Sequence, residues 1–334
     1  MRELLTVSAS PHTRGKIDIS LAMKMVIIAL LPSFIFSVYL FGLRALYITL
    51  ISIIACIVCE AVMQRMLGKK ITITDGSAVL TGLLLAFNLP PGVPLWLPVV
   101  GSAFAIIFAK QLFGGLGYNF INPALAGRAF LMASWPSAMT KEWFAPAGGT
   151  LSGIDGITSA TPLTLLKNPG NYGTPELIIE RLNDIPAIKN LFFGKIGGCI
   201  GETSALLLLI GGLFLIIIGI VDYRIVLGYL GSFVLLAFIL PTKGNLLFHL
   251  FSGGLFLGVF FMATDWVTSP VTKKGRWIFG IGCGVLTIII RVWGGYPEGV
   301  SYSILLMNVF TPIIDRFTKE KVFGDRKIKK EVMK

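Results

Sequence analysis

The chain has 334 residues, 54% of them hydrophobic and 14% charged, with 38 glycines and a mean hydropathy of +0.81, which excludes an ordinary soluble domain. Its formal charge of +12 would suggest nucleic acid in a soluble protein, but the basic residues sit at the ends of apolar runs and in the tail Lys319–Lys334, so lipid is the expected partner and nucleic acid is not. Four cysteines (56, 59, 199, 283) and two histidines (His12, His249) form neither a disulfide framework nor a zinc spacing, and they exclude a membrane haem held by two histidines.

The first twenty residues are polar and basic, so no cleavable leader is expected and the first helix acts as its own insertion signal. Apolar runs fit to cross roughly 30 Å of hydrocarbon lie at about 21–41, 43–63, 77–90, 95–113, 121–135, 202–220, 225–241, 246–263, 277–293 and 300–314. The third and fifth are short. Asn88-Leu-Pro-Pro-Gly92 ends one and Asn122-Pro123 opens the other, which predicts partial helices that line a site or path.

Ten crossings put both termini on one side. Arg2, Arg14, Lys16 and Lys24, then Arg65, Lys69 and Lys70, then Lys273, Lys274 and Arg276 fall together with the basic tail, and they mark that side as cytoplasmic. The stretch 136–201 then lies outside, where its five Lys/Arg balance five Asp/Glu. The expected place is therefore a bacterial or archaeal cytoplasmic membrane, with the loop on the outer face.

A repeat is visible as well. Thr81-Gly-Leu-Leu-Leu-Ala-Phe-Asn-Leu-Pro-Pro, Lys110-Gln-Leu-Phe-Gly-Gly and Asn122-Pro-Ala are echoed by Gly254-Leu-Phe-Leu-Gly-Val-Phe-Phe-Met-Ala-Thr-Asp, Arg291-Val-Trp-Gly-Gly and Met307-Asn-Val-Phe-Thr-Pro. With five helices per half, the second copy must run opposite to the first. The expected fold is thus an all-α integral membrane protein of about ten transmembrane helices in two inverted five-helix repeats, some of them short or broken. Its segments are a cytoplasmic stretch 1–20, a first repeat 21–135, an outer loop 136–201, a second repeat 202–314 and a basic tail 315–334.

The outer loop contains Asp155-Gly-Ile-Thr-Ser-Ala-Thr161-Pro-Leu-Thr-Leu-Leu-Lys167. Locally, Thr161 is a good N-cap and Pro162 suits the first helical position. Such a helix start can favour a phosphate, although on local grammar alone a simple capped helix is the plainer reading. The whole string resembles the flavinylation motif read by the Mg-dependent flavin transferase ApbE. That resemblance implies FMN held as a phosphoester on Thr161, with Asp155, Thr158, Ser159 and Ala160 as the recognition sequence.

Over roughly Lys24 to Arg316 the chain resembles the NqrB/RnfD family, the membrane subunits of Rnf and of Na⁺-pumping NADH:quinone reductase complexes. The likeness rests on the flavinylation string, Phe120-Ile-Asn-Pro-Ala-Leu-Ala-Gly-Arg-Ala-Phe-Leu131, Gly201-Glu-Thr-Ser204 and Phe261-Met-Ala-Thr-Asp-Trp-Val-Thr-Ser-Pro270. Length and the Ser-Ala-Thr-Pro-Leu ending look like the RnfD branch. The resemblance implies a complex that relays electrons between ferredoxin and NAD with coupled Na⁺ or H⁺ movement. Its partners would be iron–sulfur and flavin subunits, a second covalent-FMN subunit and an ApbE-type flavin transferase. The chain has no Gly-x-Gly-x-x-Gly fingerprint and no ferredoxin-like cysteine run, so it is expected to carry electrons without binding NAD and to offer no catalytic residue of its own. A second, non-covalent flavin is left open.

Polar residues inside apolar runs are functional candidates. Arg128, with Asn122, is a candidate partner of the flavin ring or phosphate; the plain alternative for the arginine is snorkelling to the interface. Asp265 and Thr264 offer hard oxygens for an ion path, against a helix-end carboxylate paired with Lys273 or Lys274. Glu202 suits the start of the sixth helix. Glu60 is expected to pair with Arg65 at the interface. From another function class, a channel or secondary transporter without redox chemistry fits the repeat alone.

Overall fold

A computed structural model describes residues 18–141, 161–167, 180, 184–194, 197–202, 204–242, 244–295 and 298–319. Among the described residues there are fourteen α-helices and no strand. The first half holds α1 (Ile19–Phe41), α2 (Leu43–Met66), α3 (Ser77–Phe87), α4 (Trp96–Ile106) and α5 (Pro123–Ser134). The connection contributes α6 (Pro136–Lys141), α7 (Pro162–Lys167) and α8 (Ile185–Phe193). The second half holds α9 (Ala205–Ile218), α10 (Tyr223–Ile239), α11 (Leu246–Phe251), α12 (Leu255–Leu257), α13 (Lys273–Trp293) and α14 (Val300–Thr318).

Local chemistry sets these bounds. Asp18 caps α1 by accepting from the Ile19 N–H at 2.7 Å. Asn122 caps α5 from the residue before Pro123, its Oδ1 accepting from the Ala124 and Leu125 N–H groups at 3.0 and 3.2 Å. Thr272 caps α13 in the same manner. By length and composition α1, α2 and α13 can each cross a membrane, and α3, α4 with its extension, α9 and α10 are shorter apolar helices. Ile217 and Phe238 are 84% and 83% exposed, an arrangement that is unfavourable in water and ordinary in hydrocarbon. The chain is a multi-pass membrane protein.

Two helix contacts recur in both halves. The second helix packs on the fourth in each (α2 on α4, α10 on α13), and the fourth on the fifth (α4 on α5, α13 on α14). Between halves, first meets first (α1 on α9) and fifth meets fifth (α5 on α14). The α10/α13 contact is close because Gly280 and Gly284 lack side chains: a Cβ there would lie 2.5 Å from the Ile225 carbonyl oxygen and 2.4 Å from that of Tyr229. Small residues are the usual means of bringing backbones together in lipid.

Three expectations need correction. The run 246–263 is not one helix. It breaks at Ser252–Gly254 and ends as a π-turn over Gly258–Met262, and the run 95–113 likewise ends in a π-turn over Ile107–Gln111. Hydropathy alone does not report backbone register. The break leaves carbonyls without helical partners, and Arg291 supplies them. Its guanidinium donates to the carbonyl oxygens of His249 (2.5 Å), Ser252 (3.0 Å), Gly253 (3.0 Å) and Glu298 (3.0 Å). Finally, Glu60 does not pair with Arg65. It is 1% exposed, its Oε2 accepts from Lys110 Nζ at 2.8 Å, and its Oε1 accepts from Gln111 and Gln64.

At the α9/α10 connection, Asp222 accepts from the Arg224 backbone N–H at 2.8 Å and pairs with Arg224 and Arg276 at 3.0 and 2.5 Å. Partial burial alone would raise this carboxyl, but those bonds outweigh it and hold it below the ordinary carboxylate range. A depressed folded value means that the contribution is present above the unfolded value of about 3.9 and fades as pH falls through the lower folded value. Asp222→Asn should therefore unfold at a lower temperature than wild type at pH 7, and the gap should close below about pH 4 in detergent thermal scans. A gap that persists at low pH would assign the loss to packing instead.

Candidate functional site

Thr161 is 6% exposed and N-caps α7: its Oγ1 accepts from the Thr164 N–H at 3.3 Å and lies 2.7 Å from Thr164 Oγ1. The short helix is held from below. Leu163 and Leu166 pack with Leu191 and Phe248, and Lys167 donates to the Gly294 carbonyl. A small cavity of about 40 Å³ opens beside the Thr161 hydroxyl, lined by Arg128, Thr161, Thr164, Glu298, Ser301 and Tyr302.

Arg128, on α5, is 5% exposed, and both its terminal nitrogens are engaged. Nη1 donates to Asn88 Oδ1 at 2.9 Å and Ser301 Oγ at 2.8 Å, and Nη2 pairs with the Glu298 carboxylate. It does not snorkel. Behind it, the ligating atoms of Cys199, Glu202 and Glu298 lie within 4.8 Å of one another. Glu202 sits in a 3₁₀ turn before α9, which is capped by Ser204, so the helix-start reading of Glu202 is displaced by three residues.

Asn122 lies elsewhere. Six residues before Arg128, it is about 9 Å away along α5. Its side chain donates to the Met262 carbonyl at 3.4 Å and lines a second cavity of about 220 Å³. That cavity also receives Thr264, Asp265, Asn119 and Lys110. Asp265 accepts from the Val267 N–H (3.3 Å) and Thr268 Oγ1 (3.2 Å), and among the described residues it forms no ion pair with Lys273 or Lys274. Thr264 donates to the Phe260 carbonyl at 2.6 Å, which leaves its oxygen lone pairs for another partner. The fold thus brings Arg128 to Thr161 and Asp265 to Thr264, while Asn122, expected beside Arg128, belongs with the second pair. Asp155, Thr158, Ser159 and Ala160 lie outside the described residues.

Three charges, two buried and one half-buried, were not singled out as functional by the sequence: Lys110, which bonds Glu60 and Ser77 Oγ (2.7 Å) at the edge of the larger cavity, Arg291, and the half-buried Glu298. Lys110 could have been found, since it stands inside an apolar run, where a lysine must have a partner.

The profile of the NQR2, RnfD, RnfE family matches residues 6–324. The chain belongs to that family. It is 54% identical over 334 residues to the D subunit of the Na⁺-translocating ferredoxin:NAD⁺ oxidoreductase complex of Acetobacterium woodii, with 99% of each chain covered. It is 46% identical over 332 residues to the D subunit of the proton-translocating ferredoxin:NAD⁺ oxidoreductase complex of Clostridium ljungdahlii, with 98% of each covered. It is 42% identical over 322 residues to the D subunit of the ion-translocating oxidoreductase complex of Stutzerimonas stutzeri, with 90% of each covered.

Proposed function

We propose that the chain is the RnfD-type membrane subunit of an Rnf complex, carrying FMN covalently on Thr161 and relaying electrons between ferredoxin and NAD with coupled Na⁺ or H⁺ movement. The observation that carries the reading is the pairing of a flavinylation string with a buried Thr161 hydroxyl that opens on an arginine-lined cavity. The residues present fit the group: Arg128 and the hydroxyls of Ser301, Thr164 and Tyr302 are the donors a phosphodiester and a flavin edge accept from. Bound there, FMN would supply one- and two-electron redox chemistry. The chain's own part is to present the Thr161 oxygen, to hold a cation beside it and to keep water out with the Leu163 and Leu166 packing.

Iron–sulfur and flavin subunits, a second covalent-FMN subunit and an ApbE-type transferase are the partners this reading requires. In it, both termini are cytoplasmic, the Thr161 loop faces outward and the halves are inverted repeats. The fluorescence of the protein band on a denaturing gel under ultraviolet light is the direct test, with protein from cells that contain the transferase. A dark band would count against the reading and favour a channel or transporter without redox chemistry.

The larger cavity is our candidate for the ion path, because Asp265, Asn122, Asn119 and Thr264 bring hard oxygens together. Asp265→Asn should lower ion-coupled turnover of the assembled complex about tenfold, the equivalent of about 1.4 kcal/mol of ion contact, and leave the flavin band intact. Unchanged turnover would remove Asp265 from the path.

A further inference from the structure

Arg128 is the cation that lines the Thr161 cavity, and its geometry is set by three partners from distant parts of the chain. Asn88 closes the end of α3, Ser301 stands in the first turn of α14, and Glu298 precedes that helix. Two neutral oxygens fix the guanidinium plane and one carboxylate balances its charge. Glu298 lines the cavity too, so any group attached at Thr161 meets both signs of the pair.

A second carboxyl stands beside the pair. Glu202 approaches within 4.8 Å of Glu298, and its buried Oε1 has no hydrogen-bond donor among the described residues. Room for it comes from the helix break: a Cβ on Gly254, whose φ is +50°, would lie 2.9 Å from that oxygen. The other polar groups around the pair are Arg291, whose N–H groups are spent on backbone carbonyls, Lys167, bonded to the Gly294 carbonyl, the buried Cys199 thiol, His249 on α11, and Tyr302. None of these stands between Arg128 and Glu298.

We propose that Arg128 and Glu298 act as an opposed pair of charges that sets the reduction potential of the centre attached at Thr161, with Glu298 the positioning residue that aims Arg128 and limits its field. The inference rests on the reading that Thr161 carries FMN. Its physical basis is that an electron arriving beside a buried, weakly screened cation is stabilised, and beside a buried carboxylate is destabilised. The electron comes from one partner redox subunit and leaves to another. The pair itself neither gains nor loses an electron or a proton.

The opposed signs give a test that a merely structural role cannot imitate. Wild type, Glu298→Gln, Glu202→Gln and Arg128→Gln are purified with their covalent flavin, checked by the fluorescent band, and the flavin potential is measured by spectroscopic redox titration at one pH. Glu298→Gln keeps an oxygen that accepts from Arg128 and removes the counter-charge, so its potential should rise by the equivalent of a tenfold change in the two-electron equilibrium, about 30 mV. Two carboxyls this close do not both stay ionised, so Glu202→Gln should leave the potential near wild type and serves as the packing control. Arg128→Gln should move it the opposite way by at least as much as Glu298→Gln. A general loosening would move all three alike. Unchanged potentials in fluorescent Glu298→Gln and Arg128→Gln, or shifts of one sign, overturn the inference and leave the Thr161 reading standing. A dark wild-type band overturns the Thr161 reading, and this inference with it. If Arg128→Gln does not assemble, Glu298→Gln decides against the Glu202→Gln control: an unchanged potential in Glu298→Gln overturns the proposal, and a raised one beside an unmoved control supports it.

Discussion

Thr161→Val is expected to yield a folded, assembled protein whose band is completely dark under ultraviolet light. Valine keeps the shape of threonine and removes only the oxygen, so the effects on folding and on attachment separate. The folding effect is the loss of one N-cap bond, the Thr164 N–H to Thr161 Oγ1, worth about 1 kcal/mol. Position 161 is buried, yet α7 has other anchors in Leu163, Leu166 and the Lys167 bond to Gly294, so its place does not depend on that hydroxyl. The attachment effect is total, since a phosphoester needs an oxygen to carry it. Thr161→Ser restores the hydroxyl and should restore fluorescence. A fluorescent Val variant would move the attachment to another residue.

The largest expected effect on stability belongs to Glu60→Ala. Lys110 Nζ is held between Glu60 Oε2 at 2.8 Å and Ser77 Oγ at 2.7 Å, and the lysine and the glutamate are both 1% exposed. Removing the carboxylate strands an ammonium in a low-dielectric interior, and breaking a buried pair in this way costs about 3–5 kcal/mol. The double variant Glu60→Gln with Lys110→Met removes both charges and should recover most of that loss, because a buried pair adds little net stability over packed neutral groups. Chemical denaturation in detergent measures all three. A double variant as unstable as the single one would show that Gln64 and Gln111, which also bond Glu60, hold the site more than the charge pair does.

What the sequence made legible follows from which forces act over short stretches. Apolar runs located the main apolar helices, and the Asn122-Pro123 and Thr161-Pro162 steps located two helix starts, because caps are set by neighbours two or three residues away. The candidates around Asp265 and Arg128 stood out because a charge in hydrocarbon is costly wherever it falls. The partners did not. Glu60 meets Lys110 across 50 residues and Arg128 meets Glu298 across 170, separations that only the tertiary fold closes. Asn122 was joined to Arg128 because they are near in sequence, although a helix rises about 1.5 Å per residue and carries them toward different cavities. The interruption at Ser252–Gly254 was hidden for a related reason. Its carbonyls are satisfied by Arg291, 38–42 residues further on, so the local string had no need of a visible breaker such as proline.

That Arg291 clamp has a mechanical consequence. It ties α13 to the end of α11, to the interruption itself and to the residue that leads into α14, so these pieces cannot slide past one another without losing four bonds together. The two halves meet along seams that include α1 on α9 and α5 on α14. Arg128 and Glu298 join hands across the α5/α14 seam, beside Thr161. A tilt at this joint would change the distance between those two charges, and with it the field at the Thr161 hydroxyl.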